Sequence, residues 1–234
     1  MLCKLILNKN PEESGKKIKR ILQHNHVKII HASNGIPDNN YWKKCSEQIG
    51  VLAPMEEDDN GNKNGNLFTD IKYPWDYESN SFSHSNTRQP LHTDGSYEKN
   101  SPQISFFYCM EKPKYGGQTI FVSLENLLNY LKEYDPNLLE NLNKKEIKHF
   151  KGNDFKIKSI IDNGKICWNY FRCENCELKE CFHNFLENYV VQANLFIPVS
   201  LNVGEALFFK DDEILHGRCS FIGKRWLVKG GIYV

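Results

Sequence analysis

The sequence predicts a mainly β fold with flanking helices, built on a double-sheet jelly roll. Short β-branched and aromatic runs recur from residue 102 onwards, and two helix candidates interrupt them. Many short strands with few helices are typical of a sandwich or barrel. The chain has 234 residues, of which 40% are hydrophobic, enough to bury one core. We therefore expect residues 1–234 to form a single domain.

Period-two and period-3.6 patterns locate the elements of the second half of the chain. One helix is predicted over residues 123–134, with Ser123 as its N-cap, and another over residues 180–192. The strand candidates are residues 103–109, 119–122, 156–161, 165–171, 206–209 and 226–234.

The first half of the chain shows fewer elements. Residues 15–31 predict a helix that leads into a β-branched strand, and residues 40–49 predict a second helix. Residues 56–66 are polar and glycine-rich, which indicates a surface loop rather than a domain boundary. Residues 77–89, rich in Ser and Asn, predict another mobile segment.

The composition argues against several classes of partner. The chain has 30 basic and 29 acidic residues, so no charge excess favours nucleic acid or an anionic membrane. No apolar run is long enough for a signal peptide or a transmembrane helix. Without a signal peptide, the eight cysteines are expected to be reduced thiols in a cytoplasmic protein.

Two histidines and an aspartate form a candidate metal site. His92 and Asp94 are two residues apart, so in extended backbone both side chains lie on the same side. His216 follows an apolar strand candidate. Two imidazoles and one carboxylate leave open positions on an octahedral metal, which suits non-haem Fe(II). A His-x-Asp pair alone is a weak signal in a chain with eight histidines and 29 acidic residues.

Four further features occur in a specific order around this pair. Gly116-Gly-Gln-Thr119 follows it, Gly204–Phe209 forms an apolar strand candidate, and His216-Gly-Arg218 is followed by Gly223-Lys-Arg225. Together with His92-Thr-Asp94, these motifs resemble the taurine dioxygenase and clavaminate synthase-like branch of the Fe(II)/2-oxoglutarate oxygenases. The resemblance covers roughly residues 15–234.

This resemblance implies a double-stranded β-helix core, Fe(II), the co-substrate 2-oxoglutarate and O2. It makes His92, Asp94 and His216 the catalytic metal ligands. Arg225 matches the arginine of the family that binds the distal carboxylate of 2-oxoglutarate, and Thr119 matches the threonine that supports the same carboxylate. A guanidinium forms two parallel charge-assisted hydrogen bonds with a carboxylate, so arginine suits this role better than lysine.

The expected reaction is hydroxylation of a C–H bond in a small polar metabolite, amino-acid-like or anionic, with succinate and CO2 as co-products. Lys229 shares a strand face with Arg225, and in taurine dioxygenase the matching position is an arginine that binds the anionic group of the substrate. Because Asp94 is retained, hydroxylation is favoured over halogenation. The residues expected to contact substrate are Asn86, Arg88, Tyr97, Asn169, Arg218 and Lys229. For Arg218, a place at the cavity mouth and a pair with an acidic residue are both open.

Two alternative functions are open. With the same cofactors, desaturation or cyclisation of a natural-product intermediate needs only a different fate of the substrate radical. A protein of another class, a catalytically silent metal-binding jelly roll, would retain the ligands without turnover. One position departs from the family: Lys210-Asp211 stands where Asp-Asn is frequent. We expect this position to support the loop rather than the metal.

A cluster of cysteines raises a zinc hypothesis. Cys173, Cys176, Cys181 and His183 contain one Cys-x2-Cys half-site. The remaining spacings match no common zinc module, and a helix would direct Cys181 and His183 to different faces. Incidental thiols near a helix start are therefore favoured over a zinc site.

Overall fold

The computed structural model describes residues 2–55, 65–74 and 84–234. The predicted loop over 56–66 lies outside the described residues except for its last two, and the predicted segment over 77–89 lies outside them up to residue 83. Within the described residues, no helix combines the length and apolar character needed to cross a membrane.

Five α-helices are described, and a π-helical segment continues the last of them. They are α1 Pro11–Leu22, α2 Asn39–Glu47, α3 Leu124–Tyr134, α4 Pro136–Lys144 and α5 Glu177–Phe185, followed by the π-helical segment Leu186–Val191. Two short 3-10 helices are Tyr170–Arg172 and Asp211–Glu213.

Seventeen strands are described. They are β1 Leu2–Ile6, β2 Ile29–Ser33, β3 Val51–Ala53, β4 Thr69–Tyr73, β5 Gln89–His92, β6 Ile104–Glu111, β7 Tyr115–Gly116, β8 Thr119–Ser123, β9 Glu146–Lys151, β10 Asp154–Ser159, β11 Ile161–Asp162, β12 Lys165–Ile166, β13 Ile197–Val199, β14 Ala206–Lys210, β15 Ile214–Arg218, β16 Phe221–Ile222 and β17 Arg225–Tyr233.

Two sheets form the core of the fold. The larger sheet has the order β1-β2-β14-β6-β17-β3, and β4 pairs with the first part of β17. The smaller sheet has the order β13-β8-β15-β5. The sheets contact each other through aromatic side chains, such as Phe121 of β8 and Phe209 of β14, whose ring centroids are 5.2 Å apart. This is the mainly β, double-sheet architecture that the sequence predicts.

Side chains alternate between the two faces of each strand, and this alternation sorts the core into layers. Phe107, Phe121 and Phe209 are buried between the sheets. Phe106 and Phe208, each one residue away, are buried on the outer face of the larger sheet in the cluster that includes α1 and α2. The outer face of the smaller sheet packs against α3, α4 and α5. Polar residues whose side chains share a strand face with these inner aromatic residues therefore also lie between the sheets.

Helix starts follow the capping residues of the sequence. The Ser123 side chain accepts a hydrogen bond from the backbone N–H of Asn126 at 3.2 Å, as the predicted N-cap requires. Helix α1 begins earlier than predicted, at Pro11, because Asn10 caps it and proline is favoured in the first turn. Helix α4 was not predicted, although Pro136 after the capping residue Asp135 is the same kind of start signal.

The predicted strand over residues 165–171 is wrong beyond residue 166. The Thr93 hydroxyl accepts a hydrogen bond from the backbone N–H of Trp168 at 3.0 Å, so this backbone binds the loop that follows β5. The Asn169 side chain then accepts from the N–H of Phe171 and caps a 3-10 helix. Side chains thus satisfy backbone groups that a strand would have paired.

A buried histidine in β9 makes the stability of the fold depend on pH. His149 is fully buried, and its Nδ1 lies 3.3 Å from Sγ of Cys173. Burial, together with the positive charges of Lys156 and Lys158, lowers the pKa of His149 to about 4. The unfolded chain takes up a proton near pH 6.5, whereas the folded protein does not until about pH 4. The free energy of unfolding should therefore fall as the pH drops through that interval.

We expect His149→Gln to lose less unfolding free energy than the wild type between about pH 7 and about pH 5, since glutamine takes up no proton in the unfolded state. Urea denaturation of the metal-free proteins at both pH values measures this difference. The variant will have lower stability at each pH, so the comparison is between the two slopes. Equal slopes would show that His149 does not contribute to the pH dependence.

Candidate metal and co-substrate site

The pairing of β5 with β15 places two histidines opposite each other. His92 is the register partner of His216, and their ring centroids are 4.3 Å apart. The carboxylate of Asp94 lies 3.8 Å from Nε2 of His92 and 3.7 Å from Nε2 of His216. One potential ligand atom from each residue lies within 4.8 Å of the others, and no second such group of His, Cys, Asp or Glu occurs in the described part of the chain. The structure thus brings together the three predicted ligands.

Both histidines are neutral and present Nε2 to the site. Nδ1 of His92 donates to the carbonyl oxygen of Pro90 at 2.9 Å, which leaves the Nε2 lone pair for a metal. Burial, followed by the charge of His216, lowers the pKa of His92 to about 3. Burial lowers the pKa of His216 to about 4. Neutral imidazoles are the form that binds metal, so this donor set fits non-haem Fe(II) at physiological pH.

Asp94 is held by residues of the larger sheet. Nζ of Lys229 lies 2.6 Å from Oδ1, and the Ser105 hydroxyl donates to Oδ2 at 3.1 Å. Burial alone would raise the pKa of Asp94, but Lys229, followed by His216 and His92, keeps that pKa below its usual range. The carboxylate is therefore ionised, as a metal ligand must be.

Asp211 contacts two of the three candidate ligands, which corrects the expectation that this position supports only the loop. Its Oδ2 accepts a hydrogen bond from the backbone N–H of Asp94 at 2.9 Å, and its Oδ1 lies 3.3 Å from Nδ1 of His216. Burial and the charge of Asp94 raise the pKa of Asp211 well above its usual range. A carboxyl group behind the imidazole orients His216 so that its Nε2 remains directed at the site.

Thr119 and Arg225 line one cavity of about 330 Å³. Both residues are buried. The two glycines before Thr119 are required by the backbone: Gly116 and Gly117 both have φ of 73°. A Cβ on Gly116 would lie 2.2 Å from the carbonyl oxygen of Ser220. The Gly-Gly pair of the motif therefore allows the chain to approach the neighbouring turn and enter β8 beside the cavity.

Arg225 is a buried cation without a protein counter-ion. The residue is 4% exposed, and within the described residues its guanidinium has no hydrogen bond or ion pair. The ring of Phe221 lies 5.6 Å from it. Burial, followed by the charge of Arg218, lowers the pKa of Arg225 to about 9. A buried, unpaired guanidinium is costly, and a carboxylate ligand would remove that cost.

One of the predicted substrate contacts lies beside a metal ligand. Asn169 and His92 line a cavity of about 30 Å³, together with Gln89, Tyr170 and Phe171. The side-chain nitrogen of Gln89 lies 3.3 Å from Nε2 of His92. This wall combines two amides with two aromatic rings.

Two predicted substrate contacts are arginines that bind other protein groups. Arg88 forms an ion pair with Glu187 of the π-helical segment. Arg218 is buried, and its Nη2 donates to the carbonyl oxygens of Ser85 at 2.8 Å and Thr87 at 2.9 Å. Neither of the two expectations for Arg218, a cavity mouth or an acidic partner, includes this contact with backbone.

The other two predicted contacts, Asn86 and Tyr97, contact residues outside the metal group. Asn86 is exposed, and its carbonyl oxygen accepts a hydrogen bond from the N–H of Phe221 at 3.1 Å. The ring of Tyr97 lies 5.5 Å from Nζ of Lys151 and 6.0 Å from the guanidinium of Arg172. These contacts place Tyr97 beside the end of β9 and the 3-10 helix Tyr170–Arg172.

The cysteine cluster does not form a metal site. Cys173 is buried beside His149, Cys181 is exposed, and His183 packs on the ring of Tyr170 at 4.1 Å between centroids. These residues therefore point to different neighbours, and they are absent from the one metal-capable group in the described residues. All eight cysteines are free.

A family model described as "Taurine catabolism dioxygenase TauD, TfdA family" matches residues 7–230. The chain belongs to this family. The predicted resemblance to the taurine dioxygenase branch is therefore confirmed. Membership of this family also confirms the prediction of a 2-oxoglutarate-dependent non-haem iron dioxygenase. No curated protein matches the chain.

Solved structures share the fold at low identity. PvcB from Pseudomonas aeruginosa is 16% identical with a TM-score of 0.69, over 97% of this chain and 82% of PvcB. OrfP, solved with Fe and alpha-ketoglutaric acid, is 11% identical with a TM-score of 0.71, over 100% and 94%. An asparagine oxygenase, solved with Fe(II), 2S,3S-3-hydroxyasparagine and succinate, is 11% identical with a TM-score of 0.62, over 98% and 93%. The predicted double-stranded β-helix fold is confirmed.

Sequence reasoning missed the contacts that Ser105 and Gln89 make with the candidate metal ligands. It also missed that Asp211 contacts two of those ligands. Strand alternation was a usable signal for Ser105, which lies two residues before Phe107 and so shares its inward face. No comparable pattern marks Gln89, because its contact with His92 depends on a side-chain conformation within one strand.

We expect His92→Ala, Asp94→Ala and His216→Ala each to lose tight Fe(II) binding while retaining the fold, since each removes one of three ligands. Anaerobic titration with Fe(II) measures the affinity, and circular dichroism checks the fold. Cys181→Ala, at an exposed thiol outside the site, serves as the control. Wild-type Fe(II) affinity in His216→Ala would exclude His216 as a ligand.

Proposed function

We propose that this TauD/TfdA chain uses Fe(II), 2-oxoglutarate and O2 to hydroxylate a C–H bond of a small polar, amino-acid-like metabolite, with succinate and CO2 as co-products. The observation that carries the proposal is the combination of two features between the same sheets. One is the buried group of His92, Asp94 and His216, and the other is the unpaired buried cation Arg225.

The metal ligands would hold Fe(II), which when bound supplies the oxidising chemistry with O2 and the keto acid. Three protein ligands leave the remaining positions of an octahedral ion open for co-substrate and O2. The residues of the chain fix the geometry: Pro90 sets the tautomer of His92, and Asp211 orients His216. This division of work fits an enzyme rather than a silent metal-binding jelly roll, because Arg225 would have no role in the latter.

The co-substrate would be anchored at its distal carboxylate by Arg225 and Thr119. These residues line the same cavity, and neither lies on β5 or β15, the two strands that carry the histidines. Arg225 and Lys229 are four residues apart on β17, or about 13 Å in extended backbone. The anchor and the metal group therefore lie at different positions along the space between the sheets.

The small polar character of the substrate is supported by the wall beside His92, where Gln89 and Asn169 offer amides and Tyr170 and Phe171 offer rings. Structures of similar fold contain amino-acid products, hydroxyasparagine in one case and (3R,4R)-dihydroxy-L-Arg with OrfP in another. The near-neutral charge of the chain favours a small-molecule partner over nucleic acid or membrane. Desaturation or cyclisation by the same site is the second candidate.

A screen of amino acids and small polar metabolites tests the proposal. Each is incubated with Fe(II), 2-oxoglutarate and ascorbate under air, and both succinate release and product mass are measured. A gain of one oxygen identifies hydroxylation, whereas a loss of two hydrogens identifies desaturation or cyclisation. Protein that binds Fe(II) but neither binds nor consumes 2-oxoglutarate would support the silent jelly roll instead.

We expect Arg225→Ala to raise the apparent Michaelis constant for 2-oxoglutarate by roughly 10- to 150-fold, because a charged hydrogen-bond partner contributes about 1.5–3 kcal/mol. Arg225→Lys should recover part of the loss, since it restores the charge without the two-pronged geometry. Succinate release at varied 2-oxoglutarate measures both variants. Equal constants in wild type and Arg225→Ala would exclude Arg225 from co-substrate binding.

A further inference from the structure

Asp94 is held more tightly than either histidine of the metal group. Three protein groups bind it: Nζ of Lys229 at 2.6 Å from Oδ1, the Ser105 hydroxyl at 3.1 Å from Oδ2, and Asp211, which accepts from its backbone N–H at 2.9 Å. Each carboxylate oxygen thus already has a donor. The contact with Lys229 is the shortest of the three and the only one that joins oppositely charged groups.

Strand β17 fixes the position of Lys229. Lys229 is the register partner of Phe107 on β6. The ring of Phe107 packs near His216, with 5.8 Å between the ring centroids. Arg225, Leu227 and Lys229 alternate onto the inward face, so the stem of Lys229 crosses the space between the sheets to reach Asp94. The Lys229 side chain is 17% exposed, and a cation at that depth needs a partner. Among the described residues, Asp94 is the carboxylate within ion-pairing distance of it.

We propose that Lys229 is a positioning residue that restricts Asp94 to a single metal-binding oxygen. An ammonium group on Oδ1 opposes a divalent cation on the same oxygen, because the two positive charges repel each other. A chelate through both oxygens is therefore disfavoured, and one more coordination position stays open for co-substrate or O2. This inference rests on the proposed function, since it requires a metal in the group of His92, Asp94 and His216.

The proposal differs from the expectation that Lys229 binds an anionic group of the substrate. The charge of Lys229 is already neutralised by Asp94, so a substrate anion would have to compete with a buried ion pair. The other cations predicted to contact substrate are likewise bound to protein groups, Arg88 to Glu187 and Arg218 to backbone carbonyl oxygens. Lys229 then acts on the reaction through the metal ligand, before any substrate arrives.

Cobalt(II) substitution tests this without turnover, because the visible absorption of Co(II) depends on the atoms bound to it. We expect Lys229→Met to bind Co(II) at least about 10-fold more tightly than the wild type, since a nearby positive charge is removed. Its visible absorption should also differ from that of the wild type, because a second oxygen of Asp94 replaces a bound water. Lys229→Arg should restore the wild-type spectrum and an affinity within about 3-fold of it. Lys132→Met, at an exposed site on α3, should match the wild type.

Lys229→Gln is the second neutral variant, and its result stands if Lys229→Met does not fold. Wild-type Co(II) affinity and absorption in the folded neutral variant would overturn the proposal. A wild-type protein that binds neither Co(II) nor Fe(II) would overturn the proposed function itself and this inference with it. Metal binding by the wild type therefore distinguishes failure of the proposed function from failure of the Lys229 proposal alone.

Discussion

The antiparallel register of β5 against β15 is the constraint on which the site depends. It sets His92 opposite His216, and Asp94 follows His92 by two residues. Because side chains alternate along a strand, a shift of one residue would turn one imidazole out of the space between the sheets. The neighbouring pair of β15 with β8 extends the same order, since His216 is opposite Phe121 and Arg218 is opposite Thr119. The two histidines and Thr119 are therefore positioned by the backbone hydrogen bonds of one sheet.

Arg225 differs in its protein partners from the three cations that were expected to contact substrate, Arg88, Arg218 and Lys229. Lys229 is neutralised by Asp94, Arg88 by Glu187, and Arg218 by two carbonyl dipoles. Arg225 alone among these four has no such partner in the described residues. Since an unpaired buried charge is expensive, the fold carries this cost at the one position where an incoming carboxylate can offset it. That contrast is a stronger pointer to an anionic ligand than the presence of an arginine.

Much of this arrangement could be predicted from the sequence, because the informative residues lie in local motifs. The His92-Thr-Asp94 spacing, the Gly116-Gly117 pair and the alternation from Arg225 onwards each depend on short stretches of backbone, so they were readable without the fold. Contacts between distant segments were not. Lys229 forms an ion pair with Asp94, and Asp211 contacts both Asp94 and His216. Both contacts depend on which strands are neighbours in the fold.

The secondary structure shows the same division. The β6, β8, β14 and β17 strands were predicted because they are apolar and buried, whereas residues 167–171 were predicted as strand although they leave it. There the hydroxyl of Thr93 and the amide of Asn169 take the backbone hydrogen bonds. Such competition between side chains and sheet pairing leaves no trace in hydrophobic periodicity.

Arg218 adds a side-chain link between two strands that already pair through their backbones. From β15 it binds the carbonyl oxygens of Ser85 and Thr87, on the stretch that leads into β5. The strand that carries His216 and the strand that carries His92 are thus cross-linked at a second point, away from the ligands. Before any ion binds, the two imidazoles belong to one rigid unit, so metal binding need not be accompanied by ordering of the histidines. The entropy of assembling the site is lost during folding instead.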